Sequence, residues 1–478
     1  MSTGDVEVIA HNLHVLSEVE TELAFPVTSQ NPANEFLRLQ YRYLDLRSEV
    51  LQRNLRFRST FILTIRQFLC LSYGFLEVET PYLFRKTPGG ANEFLTPTTY
   101  PGLFYSLPQS PQQFKQLLMV GGFDRYMQIA RCFRDEPSRS DRQPEFTQLD
   151  LELAFANATD IMQVVEDLLL HVWPLVRNIR KDDCLLQTPF PKITYSAAIS
   201  QFGSDKPDIR FAFRFCKPSA NGCVGFKIPL STASMISEPD WKRLTENTYL
   251  NTGVNIYFNT PCSSSSDFDC LSKSLEAEPS DTIVFVRDHT EKELKALGLA
   301  RTMLAEVLHA KGVPIYEPGI HFLWVDNFPL FERIDDDSWS SVHHPFTAPT
   351  PDTLSFIYSN PEKVVSQHYD LVCNGQEVGG GSIRIHDASI QEYVLSDILK
   401  EDTKTMSYFM TALRSGAPPH GGIALGLDRL LAILLNANSI REVIAFPKAS
   451  DGKDLMSGAP AHISEDDLKR YNLAVTAK

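Results

Sequence analysis

Between Arg125 and Phe155 the sequence carries two strand-like runs separated by a charged, turn-prone segment, Asp135 to Gln143. Side chains alternate across a strand, so Gln128, Ala130, Cys132 and Arg134 share one face of the first run. In the second run Phe146, Gln148, Asp150 and Glu152 share a face, while Leu149, Leu151 and Leu153 point the other way. Antiparallel pairing of the two gives a sheet with an apolar side against a core and a polar side facing a cleft. No other stretch of the chain constrains the fold as strongly.

A second strand pair follows near the C-terminus. His368 to Cys373 and Gln376 to His386 flank Asn374-Gly375, the dipeptide of a two-residue hairpin turn. With the turn centred there, Asp370 opposes Gly379, and Glu377 is its diagonal neighbour on the same face. Gly421 to Arg429, running into Leu430 to Leu435, reads as a glycine-rich strand feeding a buried helix. Upstream, apolar residues recur at helical spacing from Leu46 to about Leu71 (Leu51, Leu55, Ile62, Ile65, Leu69), and Gly74 sits where a helix end wants a left-handed residue. Phe75 to Pro81 then reads as a strand closed by proline, and Thr290 to about Lys311 as a helix. Asp5 to Phe25 reads as one or two strands before a linker, Pro26 to Asn34. Strands and helices do not alternate regularly, and neither G-x-G-x-x-G nor a P-loop sequence is present, which disfavours Rossmann and P-loop folds. An α+β fold around an antiparallel sheet is expected.

The 478 residues, 43% hydrophobic and 22% charged, suffice for two or three domains. The turn-rich Pro261 to Ser266 lies in a stretch of different character, about 204 to 314, read as an inserted domain. With a net charge of −14, any nucleic-acid partner has to meet a local basic surface rather than a basic molecule. Eight cysteines without a C-x-x-C pair fit reduced thiols and offer no zinc framework. No run approaches eighteen apolar residues, and the first ten residues have neither a signal core nor the Arg-rich character of a transit peptide. No membrane association and no targeting segment are expected from these residues.

The cleft face carries the candidate chemistry. Phe133-Arg134-Asp135-Glu136 alone has the look of a solvated strand end, but Arg134 falls beside Gln148 and Asp150. Arg429 sits in a glycine-rich segment where backbone can approach a ligand. Two such guanidinium forks suit a triphosphate or the charge that develops on phosphorus. Asp370 and Glu377 are either an exposed diagonal pair or a site for Mg²⁺, which takes one or two carboxylates and completes its shell with phosphate and water. Gly379-Gly380-Gly381 favours the second, since three glycines weaken a strand and need a reason. Arg384 can anchor an anionic substrate. His343 and His344 are adjacent, so in an extended chain they point to opposite faces, one structural and one toward the ligand.

Together these segments resemble the three motifs of class II aminoacyl-tRNA synthetases, with the helix and Pro81-ended strand as motif 1, Arg125 to Phe155 as motif 2, and Gly421 to Leu435 as motif 3. Within that class, Tyr43 to Arg47, Leu107 to Gln116, Asp141 to Gln148, His343 to Phe346 and Gly379 to Arg384 are similar to aspartyl-tRNA synthetases of bacterial type. The resemblance implies activation of L-aspartate by ATP with Mg²⁺, transfer to the 3′ end of tRNA(Asp), and a homodimer formed through motif 1. It puts Arg134 and Arg429 in catalysis; Gln112, Lys115, Arg134, Asp150, His343 and Arg384 at the aspartate; Arg134, Asp135, Glu136, Gln143, Phe146, Glu377, Gly426, Leu427, Asp428 and Arg429 at ATP; and Asp370 and Glu377 at Mg²⁺. Phe146 is expected under the adenine with Arg429 stacked above it.

The expected division is a remnant of an anticodon-binding OB domain with its hinge (1–35), a first catalytic part (36–203), an inserted α+β domain (204–316) and a second catalytic part (317–478). Gly89, in Thr87 to Ala91, stands where bacterial relatives have a glutamate, as in mitochondrial members of the family, and this directs the expected location to the mitochondrial matrix, with the cytoplasm as alternative. By this resemblance only the last strand of the OB domain and the hinge are expected within Gly4 to Val27, which puts tRNA selection in doubt. Two rival readings are an asparagine-synthetase-like amide ligase and a truncated, non-charging RNA-binding form.

Overall fold

The structure, a computed structural model, describes residues 6–19, 22–27, 33–87, 91–136, 141–181, 185–219, 221–259, 266–335 and 338–476. Gly89, most of the Pro26 to Asn34 linker, part of the Asp135 to Gln143 segment and 261–265 lie outside them.

An eight-stranded sheet organises the described residues. Its strands are β1 (Leu76–Glu77), β2 (Arg125–Phe133), β3 (Glu145–Ala154), β4 (Lys192–Thr194), β5 (Phe322–Asp326), β6 (His368–Cys373), β7 (Gln376–Ile383) and β8 (His420–Gly426), in the order β1-β2-β3-β8-β7-β6-β5-β4. The six central strands are antiparallel to their neighbours, while β1 and β4 add in parallel at the two edges. The expected α+β antiparallel architecture is present. Sequence-distant strands β3 and β8 pair along seven residues, so motifs 2 and 3 share one surface.

The apolar face of the sheet is covered by helices. Leu149, Leu151 and Leu153 of β3 and Ile423 and Leu425 of β8 join Phe61, Ile65 and Leu69 in the main core, each fully buried side chain contributing about 1.5–3 kcal/mol. The helix carrying Phe61 and Ile65, α1 (Glu49–Gln67), starts at Ser48, whose hydroxyl accepts from Leu51 N, and gives way to a wider turn over Phe68–Ser72, which carries Leu69, before Gly74 at φ +66. Its buried stripe runs through Leu51, Asn54, Phe57, Phe61 and Ile65. Leu55 and Ile62, expected in that stripe, sit at its flanks, because the Asn54 amide takes a buried place by donating to Glu442 O at 3.2 Å. The sequence reading missed a 23-residue helix, Ala158–Arg180, although its capping box of Asn157 and Asp160 is readable.

A second, three-stranded sheet (Val224–Ile228, Tyr257–Asn259, Thr282–Val286) packs with helices Glu238–Thr252 and Glu291–Ala310 around a separate apolar cluster. The second of these helices matches the one expected from Thr290 to about Lys311, with Thr290 at its N-cap position. The strands expected between residues 5 and 25 are not formed: 6–19 and 22–27 hold no hydrogen-bonded partner strand, and only Phe25 among them is buried. A lone extended run without a neighbour has no ladder to join. Among the described residues no helix is long and apolar enough to cross a membrane.

Candidate functional site

The polar face of the sheet floors a cleft of about 560 Å³, within the range of small-molecule sites. Register lays out the floor. One row runs Gln128, Asp150, Ala424, Gly380, Asp370 across β2, β3, β8, β7 and β6, and the next runs Tyr126, Glu152, Gly422, Ser382, His368. Charged groups therefore stand on β3 and β6, and the two strands between them carry only Gly, Ala and Ser in these rows. At a strand spacing of about 4.8 Å, the backbones of Asp150 and Asp370 are roughly 14 Å apart over a bare floor. The bareness is enforced at Gly422, where a Cβ would meet Glu152 Oε2 at 2.0 Å and Leu151 O at 2.1 Å.

At the β3 end, Lys115 reaches in from the helix Gln112–Val120, with Nζ 3.1 Å from Asp150 Oδ1 and 3.4 Å from Glu152 Oε2. Arg384 donates from Nε and Nη2 to Glu152 at 2.9 and 3.2 Å, and from Nη1 to Ser382 Oγ at 2.6 Å. Burial pushes the Asp150 carboxyl up against the pull of Lys115, whereas for Glu152 the charges of Arg384 and Lys115 outweigh burial and hold it below the usual range. Behind them, Gln116 Nε2 donates to His420 Nε2 at 3.1 Å, and His420 Nδ1 donates to Pro418 O at 2.8 Å.

At the β6 end, Asp370 and Glu377 converge. A Cβ on Gly380 would lie 2.8 Å from Asp370 Oδ1 and 3.7 Å from Glu377 Oε1, so this glycine keeps the space between the two acids open. The turn is as expected, with Asn374 and Gly375 at φ +49 and +78. The register is not: a bulge between Leu371 and Val372 pairs Asp370 with Gly380 rather than Gly379, while Glu377 opposes Val372 and keeps its diagonal relation to Asp370. Burial and the neighbouring Glu377 push Asp370 well above the usual carboxylate range. Lys206 answers Glu377 with Nζ 3.0 Å from Oε2.

His343 and His344 both line the cleft, because the chain bends at Val342–His343 instead of running extended. His343, expected at the aspartate, stacks on His368 near the acidic end, and burial together with His368 pushes it down to about 4. His344 is pushed down to about 3 by burial and by the charges of Arg384 and Lys115, so of the two it is the neighbour of the β3 cations. His343, His368 and Asp370 also offer ligand atoms within 4.8 Å of one another.

Along the rim, Arg134 lies over the Phe146 ring at 5.1 Å, and Arg429, from the helix Leu427–Leu434, donates to Glu377 O at 2.6 Å and Asp141 Oδ2 at 3.1 Å. Every candidate residue lines this cleft except Asp135 and Leu427. Asp135 is exposed, its N–H donating to Asn92 O, and Leu427 is fully buried in the main core. Two others at the cleft are already engaged. Gln143 accepts from Lys448 N at 2.6 Å and donates to Lys448 O at 3.1 Å. Asp428 accepts from Arg58 and from Thr147 N, locking α1 to β3.

Seven buried side-chain polar atoms among the described residues lack a hydrogen-bond partner, and four of them, Arg134 Nε, Asp150 Oδ2, His343 Nε2 and Arg429 Nε, belong to residues lining this cleft. Buried polar atoms are ordinarily satisfied, so such a cluster marks a place where a ligand supplies the partners. The sequence reading did not single out Lys206 or His368. His368 was within reach, two residues before Asp370 on the same strand face; nothing local distinguishes Lys206, in the turn 203–208, from other turn lysines.

Comparison with known proteins agrees with this geometry. The family described as tRNA synthetases class II (D, K and N) matches residues 34–450. The chain is similar to the mitochondrial aspartate–tRNA ligase of Rattus norvegicus, at 44% identity over 100% of this chain and 77% of that protein. It is 40% identical to the aspartate–tRNA(Asp/Asn) ligase of Dictyoglomus turgidum, over 99% of this chain and 83% of that protein. The asparaginyl-tRNA synthetase of Pyrococcus horikoshii, solved with asparaginyl-adenylate, shares the fold with a TM-score of 0.55 at 21% identity, over 90% of this chain and 76% of that chain. Sheet, motifs and sequence relatives agree: this chain belongs to the class II tRNA synthetases of the D, K and N group.

Proposed function

We infer that this chain is an aspartate–tRNA ligase, which activates L-aspartate with ATP and passes the aspartyl group to the 3′ end of tRNA(Asp). The observation that carries the reading is the set of four unpartnered buried polar atoms on one cleft, with cations and acids arranged at both ends of a bare floor. In the first step an α-carboxylate oxygen of aspartate attacks the α-phosphorus of ATP. The bond from phosphorus to the β-phosphate bridging oxygen breaks, and pyrophosphate leaves with aspartyl-adenylate formed. In the second, a terminal ribose hydroxyl attacks the acyl carbon and AMP leaves. Neither step needs a protein nucleophile, so the protein's part is positioning and charge stabilisation.

In this reading Asp150 Oδ2 takes the substrate ammonium, and Lys115 and Arg384, braced by Glu152, take its side-chain carboxylate. Gln112 packs beside them. Arg134 Nε addresses the reacting carboxylate and α-phosphate, and Phe146 and Arg429 hold the adenine between them. Asp370 and Glu377 fit Mg²⁺, because the buried Asp370 and the half-buried Glu377 face one gap and offer the oxygen donors that Mg²⁺ prefers. When bound there, Mg²⁺ supplies charge neutralisation to the phosphates.

Three further readings belong to the proposal. The mitochondrial relatives favour a mitochondrial location. Residues 204–316, with their own sheet and apolar cluster, are read as an inserted domain. Exposed Leu71 and Leu76 support a homodimer through the motif 1 surface. The test of the activity is exchange of pyrophosphate into ATP: wild type is expected to require aspartate and reject asparagine, and Arg134→Ala to lose the exchange. Normal exchange by Arg134→Ala refutes the assignment.

A further inference from the structure

His368 touches both halves of the acidic end. Its Nε2 lies 2.8 Å from Asp370 Oδ1, and its ring lies on that of His343 with centroids 3.5 Å apart and 17° between planes. Phe328 closes the assembly from the side, edge-on to His343 at 4.7 Å and to His368 at 5.0 Å. The His368 side chain is only 10% exposed. His343 reaches the cleft from a bend at 341–344 and has no hydrogen bond through its buried Nε2. Nothing in its own segment fixes the plane of that ring; the stack on His368 and the edge of Phe328 do.

We propose that His368 is a positioning residue that sets the Asp370 carboxylate and the His343 imidazole against one another, joining the metal-binding acid to a cleft-lining ring whose buried Nε2 has no partner. Resting on the aspartate–tRNA ligase reading, it adds to the site a residue whose part is to hold two others in place. Its two contacts differ in kind. With Nε2 protonated, His368 donates to Asp370 Oδ1, which orients a ligating carboxylate as second partners of metal ligands generally do. Through its face it makes an aromatic stack, which needs a flat ring and no proton. The two contacts can therefore be removed one at a time.

The experiment uses His368→Phe, which keeps a ring and loses the donor, and His368→Gln, which keeps a donor and loses the ring. Mn²⁺ binding by electron paramagnetic resonance, on the full chain with a non-hydrolysable ATP analogue, reports on Asp370 without turnover. His368→Phe is expected to weaken Mn²⁺ binding about tenfold, and His368→Gln to stay within about twofold of wild type. The single-turnover rate of aspartyl-adenylate formation reports on His343. There His368→Gln and His343→Ala are expected to be non-additive, each removing the same stacked arrangement, and His368→Phe with His343→Ala to be additive. Equal Mn²⁺ affinity in both variants, or tighter binding by His368→Phe, overturns the inference, as does additivity of His368→Gln with His343→Ala. A wild-type chain that forms no aspartyl-adenylate yet shows the Mn²⁺ split would instead sink the activity and leave His368 in its role.

Discussion

Lys115 and Asp150 form an ion pair at 3.1 Å in which neither side chain is more than 1% exposed. Glu152 stands 3.4 Å from the same ammonium, so one lysine serves two buried acids. Lys115→Met leaves Arg384 to compensate both. Breaking a buried pair from one side costs about 3–5 kcal/mol, and the denaturant midpoint is expected to fall accordingly, with aspartate-dependent exchange lost in the protein that remains folded. An unchanged midpoint would show that Arg384 alone compensates the two acids.

Two glycines on neighbouring strands should respond differently to alanine. At Gly380 the added carbon meets the ends of the Asp370 and Glu377 side chains, which can rotate away, so Gly380→Ala is expected to fold with near-native stability. Its methyl occupies the gap between the acids, and the KM for Mg²⁺-ATP should rise roughly tenfold, the equivalent of about 1.4 kcal/mol. At Gly422 the added carbon meets Leu151 O and the buried Glu152 carboxylate. Gly422→Ala is expected to destabilise the fold by at least the 1–3 kcal/mol or so typical of overpacking. Calorimetry and steady-state kinetics on both variants check the contrast.

His420 gives stability a pH dependence. Burial pushes its imidazole below the ordinary 6.5, so below about pH 6.5 the unfolded chain takes up a proton that the folded chain refuses. Its contribution is therefore complete above that pH and lost on acidification. His420→Gln has no such proton, and between pH 6.5 and 5.5 its stability should fall less steeply, by up to about 1.4 kcal/mol per pH unit. Denaturant titrations of both proteins at three pH values measure the difference; parallel slopes would mean that His420 is not held neutral.

Leu71 and Leu76 are exposed by 82% and 50%, large apolar side chains on the motif 1 surface. Leu71→Glu combined with Leu76→Glu is expected to convert a dimer into a monomer in sedimentation velocity, with helix content preserved. A monomeric wild type would remove the basis for dimerisation through this surface.

Much of the site was legible because alternation in a strand is a local property. The runs at 128–134 and 146–152 give their cleft and core faces without any knowledge of neighbours, whereas the register that sets Gln128 against Asp150 belongs to the folded sheet. The pairing of β3 with β8, separated by hundreds of residues, is not local, and it entered only through the resemblance. The resemblance puts Gln143 and Asp428 at ATP, and both line the cleft; the partners they have within the chain, Lys448 and Arg58, come from distant parts of the sequence that no local pattern reveals. Lys206 was invisible for the same reason, since its meaning lies in Glu377, which is distant in sequence. The strands expected before residue 25 failed because extended character alone provides no partner.

The bulge beside Leu371 acts on the sheet as a frameshift acts on a message. With one residue more on β7 than on the facing part of β6, Gly380 and Ser382 fall in the rows of Asp370 and His368. In an unbroken two-stranded register those places would go to Gly379 and Gly381, with Ile383 next in line, and an isoleucine would stand where Arg384 now meets Glu152. Every odd-numbered insertion or deletion between 376 and 379 therefore exchanges the oily and the ionic sides of a whole strand, whereas a change of two residues preserves them. The length of this short stretch, more than the identity of any residue within it, decides whether the molecule has a substrate-facing wall.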